Sequence, residues 1–273
     1  MLSSTRRSSC FSASLKTRTT SQSKLARPPI RRAIVVLAHG STATQGNGHG
    51  HGSSTMEKGE KDKGFVKEMR TVAMKLHTRE QAPKEGQQQA APKPKAWEPK
   101  REGYLRFLAE SKAVYDVLET VVQDPSQPEY ARFTKTGLER SKALAEDIKW
   151  FESTYALQAP PLNPDGPGAT YAAKIAELAK SDPPAFICHF YNFYFAHTAG
   201  GRMIGSKISE MLLDKKELQF YEYDGDMNTS LDAVRKSINE ISEQWTADQK
   251  AHCLEETAAS FKFSGKIMEC ISA

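Results

Sequence analysis

At Ala185–Gly205 the chain reads AFICHFYNFYFAHTAGGRMIG, an aromatic run that ends among three glycines. Ser181-Asp182-Pro183 precedes it and is typical of a helix start, because a capping side chain is followed by proline in the first turn. A glycine inside a helix costs roughly 1 kcal/mol relative to alanine, so three glycines so close together need a reason. The backbone either approaches a flat ligand or packs tightly on a neighbouring helix, and the pattern leaves both open.

Helical patterning continues on both sides of this run. Val66, Arg70, Ala73 and His77 share one helix face, and this helix is predicted to begin at Gly64 and to end between residues 78 and 81. A loop rich in proline and glutamine follows over residues 83–99. A second helix is predicted over about residues 102–122, and a capping box at residues 246–249 begins a last one that ends near residue 270.

No strand alternation of useful length is found, although Phe220-Tyr221-Glu222-Tyr223 is compatible with a short extended piece. We therefore predict an all-α fold. Residues 57–273 are expected to form a single helical domain of seven or eight helices.

The first 56 residues have a different composition from the rest. They contain eight Lys or Arg residues, no Asp or Glu, and many Ser and Thr residues. This composition is typical of an organellar transit peptide, here followed by a disordered linker, although a disordered basic tail is the alternative. The longest apolar run in this part is Ala33–Ala38, which is short for a secretory signal.

The charge balance restricts the possible partners. Without the first 56 residues, the chain keeps 30 basic and 33 acidic residues, so the expected domain is mildly acidic. Nucleic acid is therefore not expected as a partner, because phosphate binding needs clustered basic residues. No apolar run approaches the ~20 residues needed to span a bilayer, and the sparse cysteines indicate reduced thiols rather than a disulfide framework.

Two histidines are candidates for chemistry. His77 lies on the same predicted face as Arg70 and the small Ala73, an arrangement that suits a flat ligand with a central metal and carboxylates at its edge. Taken alone, a histidine on such a helix is more often structural. His197 lies next to the glycines and either offers a polar group to a ligand or is a hydrogen-bonded core histidine.

Five segments together resemble the haem oxygenase family, specifically its plant and algal plastid branch. They are Lys63–His77 (KGFVKEMRTVAMKLH), Trp97–Phe107 (WEPKREGYLRF), Thr136–Arg140 (TGLER), Ala185–Gly205, quoted above, and Ala251–Gly265 (AHCLEETAASFKFSG). The resemblance runs from about residue 64 to the C-terminus. It implies a fold in which haem lies between a proximal helix and a kinked, glycine-rich distal helix.

The resemblance also implies roles for particular residues. By motif match, His77 is the axial ligand of the haem iron, and Gly200 and Gly201 are the distal glycines. His197 stands where animal and bacterial members carry an aspartate that organises distal water, and the plant branch has histidine there.

The residues implied to hold the haem propionates come from three segments. Arg70, Tyr191 and Arg235 fall on propionate-binding positions of the family. At one further propionate-binding position the family carries a lysine, but this chain has Leu231 there. The resemblance therefore implies no propionate contact at that position.

The implied reaction converts haem b, oxygen and electrons to biliverdin, carbon monoxide and ferrous iron. Reduced ferredoxin is the implied electron donor, the plastid stroma the implied location, and bilin and phytochrome chromophore synthesis the implied use. Some plant relatives lack the proximal histidine, and its presence here favours activity. A non-catalytic haem carrier or sensor and a purely helical interaction protein remain the alternatives.

Overall fold

The structure, a computed structural model, describes residues 63–81 and 97–273. Within these residues it is helical, as predicted, with 3₁₀ turns at Pro128–Phe133, Gln219–Tyr221 and Cys270–Ser272 and a π-helical segment at His197–Gly201. The α-helices are α1 (Gly64–Gln81), α2 (Arg101–Gln123), α3 (Ser141–Tyr155), α4 (Pro167–Ser181), α5 (Pro183–Ala196), α6 (Arg202–Leu212), α7 (Met227–Ser242) and α8 (Ala247–Glu269).

Helix α5 lies at the centre of the core. Nearly all of its residues are buried, and it packs against α8, α4 and α7. A helix that is apolar on all sides must be covered on all sides, which explains why the aromatic run needs so many neighbours. Asp182 begins this helix as predicted, because its carboxylate accepts a hydrogen bond from the backbone N–H of Ala185 at 3.2 Å.

Helices α2 and α4 make a very close contact. The backbone N–H of Gly168, in the first turn of α4, donates to a carboxylate oxygen of Glu110 at 2.7 Å. Glu110 is 4% exposed, so its charge is placed against the positive end of the α4 dipole. A Cβ atom at Gly168 would lie 2.3 Å from the Glu110 carbonyl oxygen, so only glycine allows this approach.

Replacing Gly168 with alanine is expected to lower the free energy of unfolding by about 1–3 kcal/mol, because backbone must move to admit the methyl group. Gly265→Ala is the matched control. Gly265 lies inside α8 with open space around its missing Cβ, so alanine there should stabilise by about 0.5–1 kcal/mol. Urea unfolding of both variants checks this. If both substitutions changed the free energy of unfolding in the same direction and by the same amount, the account of the α2–α4 contact would be contradicted.

The helix boundaries expected from sequence agree with the structure for α1, α2 and α8. The capping box at Thr246 and Gln249 is present at the start of α8. The extended piece expected at residues 220–223 was wrong in its first half. Residues Gln219–Tyr221 form a 3₁₀ turn, because the Asp147 carboxylate accepts hydrogen bonds from two successive backbone N–H groups there.

Some predictions fall on residues that the structure does not describe. They are the transit peptide and linker over 1–56, and most of the loop over 83–99, of which residues 97–99 are described as irregular. Among the helices that are described, none combines the length and the apolar character needed to cross a membrane.

Candidate functional site

The glycine-rich segment follows α5 directly, and the residues at both of its ends have right-handed helical backbone angles. From His197 to Gly201 the backbone is π-helical, and the N–H of Arg202 donates to the carbonyl of His197, five residues earlier. A π-helical turn inside an α-helix is rare and often marks a functional site. We call His197–Gly201 the distal segment. It includes the predicted residues His197, Gly200 and Gly201, of which His197 and Gly200 are buried.

His197 is a hydrogen-bonded core histidine in this structure. Its Nε2 lies 2.8 Å from the carbonyl oxygen of Phe220. A carbonyl oxygen can only accept a hydrogen bond, so Nε2 carries the proton and donates it. The imidazole stacks on the Phe220 ring, with centroids 4.0 Å apart. Burial lowers the pKa of His197 to about 3, so the ring is neutral at physiological pH and its Nδ1 is free of a proton.

Two of the three glycines are explained by packing. A Cβ at Gly201 would lie 2.9 Å from Nδ1 of His197, and a Cβ at Gly205 would lie 2.5 Å from the Tyr221 ring. These contacts are with the same segment and with the Gln219–Tyr221 turn, so they are not the packing on a neighbouring helix that the sequence left open. The prediction that Gly200 lets backbone approach a ligand is not tested by these contacts.

His197 is expected to make stability depend on pH. Its folded pKa of about 3 lies below the ordinary 6.5, so the unfolded chain binds more protons as the pH falls. The contribution is therefore fully present above about pH 6.5 and is lost towards pH 3. Between pH 7.5 and 5.5 it should remove about 1.4 kcal/mol of unfolding free energy.

Urea unfolding at these two pH values, for the wild-type chain and His197→Gln, measures this contribution. Glutamine keeps an N–H donor for the Phe220 carbonyl but does not titrate. His189, whose pKa is also lowered by burial, is present in both chains, so the difference isolates His197. Equal losses of stability in the two chains would show that His197 is not held neutral.

A cationic corner is formed by residues of α1, α5 and α7. Tyr191 is 1% exposed, and burial raises the pKa of its hydroxyl, while the positive charges of Arg235 and Arg70 act in the opposite direction. Both guanidinium groups therefore lie close enough to act on the same phenol. Arg70 and Arg235 thus lie within electrostatic reach of Tyr191, and the role of these three residues in holding haem propionates stays a prediction.

Arg235 has hydrogen-bonding capacity that the protein does not use. Its guanidinium lies over the Phe195 ring at 5.0 Å, and Nη1 pairs with Asp232 at 2.5 Å. Its Nε is buried without a hydrogen-bond partner. Leaving such a donor unpaired costs about 1–3 kcal/mol, which a bound anion would remove. Leu231, one turn earlier, is buried and apolar, so no second cation comes from that position.

Helix α1 carries two further residues of the predicted site, Arg70 and His77. Val66 and Ala73 are fully buried, and Arg70, between them on the same face, is half-buried. His77 lies four residues after Ala73 within α1. Its side chain is outside the described part of the structure, so axial ligation by His77 stays a prediction.

Sequence reasoning missed the residues that hold the 219–221 turn against the distal segment. Asp147 accepts from the N–H groups of Gln219 and Phe220, and Arg140 donates to carbonyl oxygens of the same turn. Asp147 was detectable in principle. It falls on the apolar face of α3 with Leu144 and Phe151, where an ionisable residue needs a specific partner.

Comparison with known proteins shows the family to which the chain is similar. The family model described as "Heme oxygenase" matches residues 63–270. "Heme oxygenase 1, chloroplastic" of Arabidopsis thaliana is 54% identical over 77% of this chain and 74% of the relative. "Probable inactive heme oxygenase 2, chloroplastic" of Oryza sativa is 41% identical over 64% of this chain and 52% of that relative.

The fold is also found in a solved structure. Heme oxygenase 2 from Chlamydomonas reinhardtii, crystallised without heme, aligns with a TM-score of 0.57 and 17% sequence identity. The alignment covers 77% of this chain and 98% of that one. By the family match and the identity to its relatives, this chain belongs to the haem oxygenase family.

Proposed function

We propose that this chain is an active haem oxygenase that cleaves haem b to biliverdin, carbon monoxide and ferrous iron. The observation that carries the proposal is the cationic corner, where Arg70 and Arg235 both act on the buried Tyr191. Haem carries two propionates on one edge, and a pair of guanidinium groups suits that edge in charge and in hydrogen-bond geometry. The unpartnered Nε of Arg235 is a donor that such a carboxylate would satisfy.

The remaining site residues have separate tasks in this proposal. His77 holds the iron from the α1 side, since a neutral imidazole is a common axial ligand of haem. Gly200 and Gly201 form a distal wall with little side-chain bulk. Bound haem would be both the substrate and the metal centre that activates oxygen.

In this proposal His197 does not donate a proton directly. Its Nε2–H is used by the Phe220 carbonyl, and the ring is neutral because burial holds its pKa near 3. The ring can therefore offer only Nδ1, as an acceptor for a hydrogen bond from water. In this proposal His197 helps to hold distal water and supports the shape of the distal segment, and protons come from water.

The location and the electron donor belong to the same proposal. Two observations support the plastid: the relatives named chloroplastic, and the basic, acid-free composition of residues 1–56, which we propose are a transit peptide and linker. Residues 57–273 then form the working domain in the stroma. Reduced ferredoxin supplies the electrons there, and biliverdin feeds the synthesis of bilins, including the phytochrome chromophore.

A haem carrier or sensor without turnover is the second candidate. It is favoured by a relative that is named as inactive although it shares 41% identity. Single-turnover absorbance of the haem-loaded protein, with ferredoxin and its reductase, separates the two. Loss of the Soret band with growth of biliverdin absorbance supports the enzyme, and a persistent Soret band supports the carrier. A chain that binds no haem at micromolar concentration would be a helical interaction protein.

A further inference from the structure

The 219–221 turn packs directly on the helix that carries the distal segment. Its Phe220 contributes both a stacking ring and a carbonyl acceptor to His197. Its Tyr221 ring lies against Gly205, at a distance that leaves no room for a Cβ atom. Any movement of this turn would therefore move the His197 ring, and the ring fills the space beside Gly201.

Asp147 holds this turn from α3. The side chain is 2% exposed, and its Oδ1 and Oδ2 accept from the backbone N–H groups of Gln219 and Phe220 at 3.0 and 2.7 Å. One carboxylate thus binds two successive peptide groups. Bonds to an ionised acceptor are shorter and stronger than neutral ones, so this contact defines the turn well.

Arg140 also holds this turn, through hydrogen bonds from its positive guanidinium group to backbone carbonyl oxygens. Its Nη1 lies 3.4 Å from the carbonyl oxygens of Gln219 and of Phe220, and it also donates to the Glu222 carbonyl. Its guanidinium stacks on the Tyr223 ring at 4.0 Å. The N–H groups of the turn are therefore held by Asp147 and its carbonyl groups by Arg140.

Burial makes the ionised form of the Asp147 carboxylate less favourable. Burial raises its pKa to about 6, although the two backbone N–H groups act to lower it. The ionisable groups that face it are Tyr104 of α2, Tyr221 of the turn, Lys216 and Glu222. A carboxylate at this position is ionised at neutral pH and becomes protonated just below it.

We propose that Asp147 is a positioning residue for the distal segment. Its carboxylate fixes the 219–221 turn, the Phe220 carbonyl fixes the His197 ring, and the ring supports the π-helical backbone of His197–Gly201. Only the catalytic consequence rests on the proposed function. The structural link between α3 and the distal segment can be tested without turnover.

The test is an amide ¹H–¹⁵N NMR titration of the full-length chain between pH 5 and 8. In the wild-type chain, the amides of Gln219 and Phe220 and those of His197–Gly201 should shift together, with one midpoint near pH 6. His197 cannot cause this step, because its own pKa is about 3. In Asp147→Asn the shared step should disappear, while it should persist in Asp116→Asn, a control at an aspartate of α2 that pairs with Lys112.

A wild-type titration in which the distal amides show no step near pH 6 would overturn the proposal, and this needs no variant to fold. A step that persists in Asp147→Asn would overturn it as well. In the haem-loaded protein, Asp147→Asn should lower kcat about tenfold with an unchanged KM for haem, since misplaced positioning groups reduce rate. If the wild-type chain does not degrade haem, the proposed function fails, and the NMR titration still decides the role of Asp147.

Discussion

His77→Ala is expected to lower the rate of biliverdin formation at saturating haem by about 100-fold or more. Even residues that only orient a metal ligand change activity by about 10- to 100-fold, so removal of the ligand itself should cost at least as much. Water, which would replace the imidazole, is a poor axial ligand. The rate is measured by the growth of biliverdin absorbance with ferredoxin and its reductase.

His252→Ala is the control for the loss of a histidine. His252 lies on the exposed side of α8 and hydrogen-bonds to Asp182 at 2.6 Å, and it is not among the proposed haem-binding residues. Its replacement should leave the rate within about twofold, since exposed polar contacts of this kind contribute little. Full turnover by His77→Ala would remove this residue from the proposed role.

Arg235→Met is expected to weaken haem binding by about 10- to 100-fold. A hydrogen bond to a charged group contributes about 1.5–3 kcal/mol, and Arg235 has a buried donor that the protein leaves unpaired. The same substitution should not destabilise the haem-free chain, because methionine fills the volume and removes an unsatisfied buried N–H. Haem titration followed at the Soret band measures the affinity, and urea unfolding measures the stability.

Arg132→Met is the matched control for Arg235→Met. Arg132 is exposed and pairs with Glu240, so its loss should change neither haem affinity nor stability appreciably. If the two variants bound haem equally well, Arg235 would not be a propionate ligand. If Arg235→Met lost stability without haem, its role would be structural.

The sequence was sufficient where structure depends on neighbouring residues. The capping box at Thr246, the Asp182 cap and the spacing of Val66, Arg70 and Ala73 depend on contacts within one or two turns. These predicted the bounds of α8 and α1 and the start of α5. The possible extended piece at residues 220–223 begins instead in a 3₁₀ turn, because the shape of this turn depends on Asp147, more than 70 residues earlier in the chain.

In the candidate site, too, the features that depend on long-range contacts could not be predicted from local sequence. Spacing alone could not bring Arg70, Tyr191 and Arg235 together, since they lie on three helices, and only the family resemblance placed them in one site. His197 could be a ligand-facing or a core histidine on sequence grounds. Its hydrogen bond to the Phe220 carbonyl, a long-range contact, places it in the core.

The crystal structure of the haem-loaded chain is the measurement that tests the central claim most directly. We expect the imidazole of His77 to ligate the iron, the propionates to contact Arg70, Tyr191 and Arg235, and the backbone at Gly200 to line the opposite face of the ring. A structure in which the propionates lie away from Arg235, or in which another side chain ligates the iron, would contradict the account.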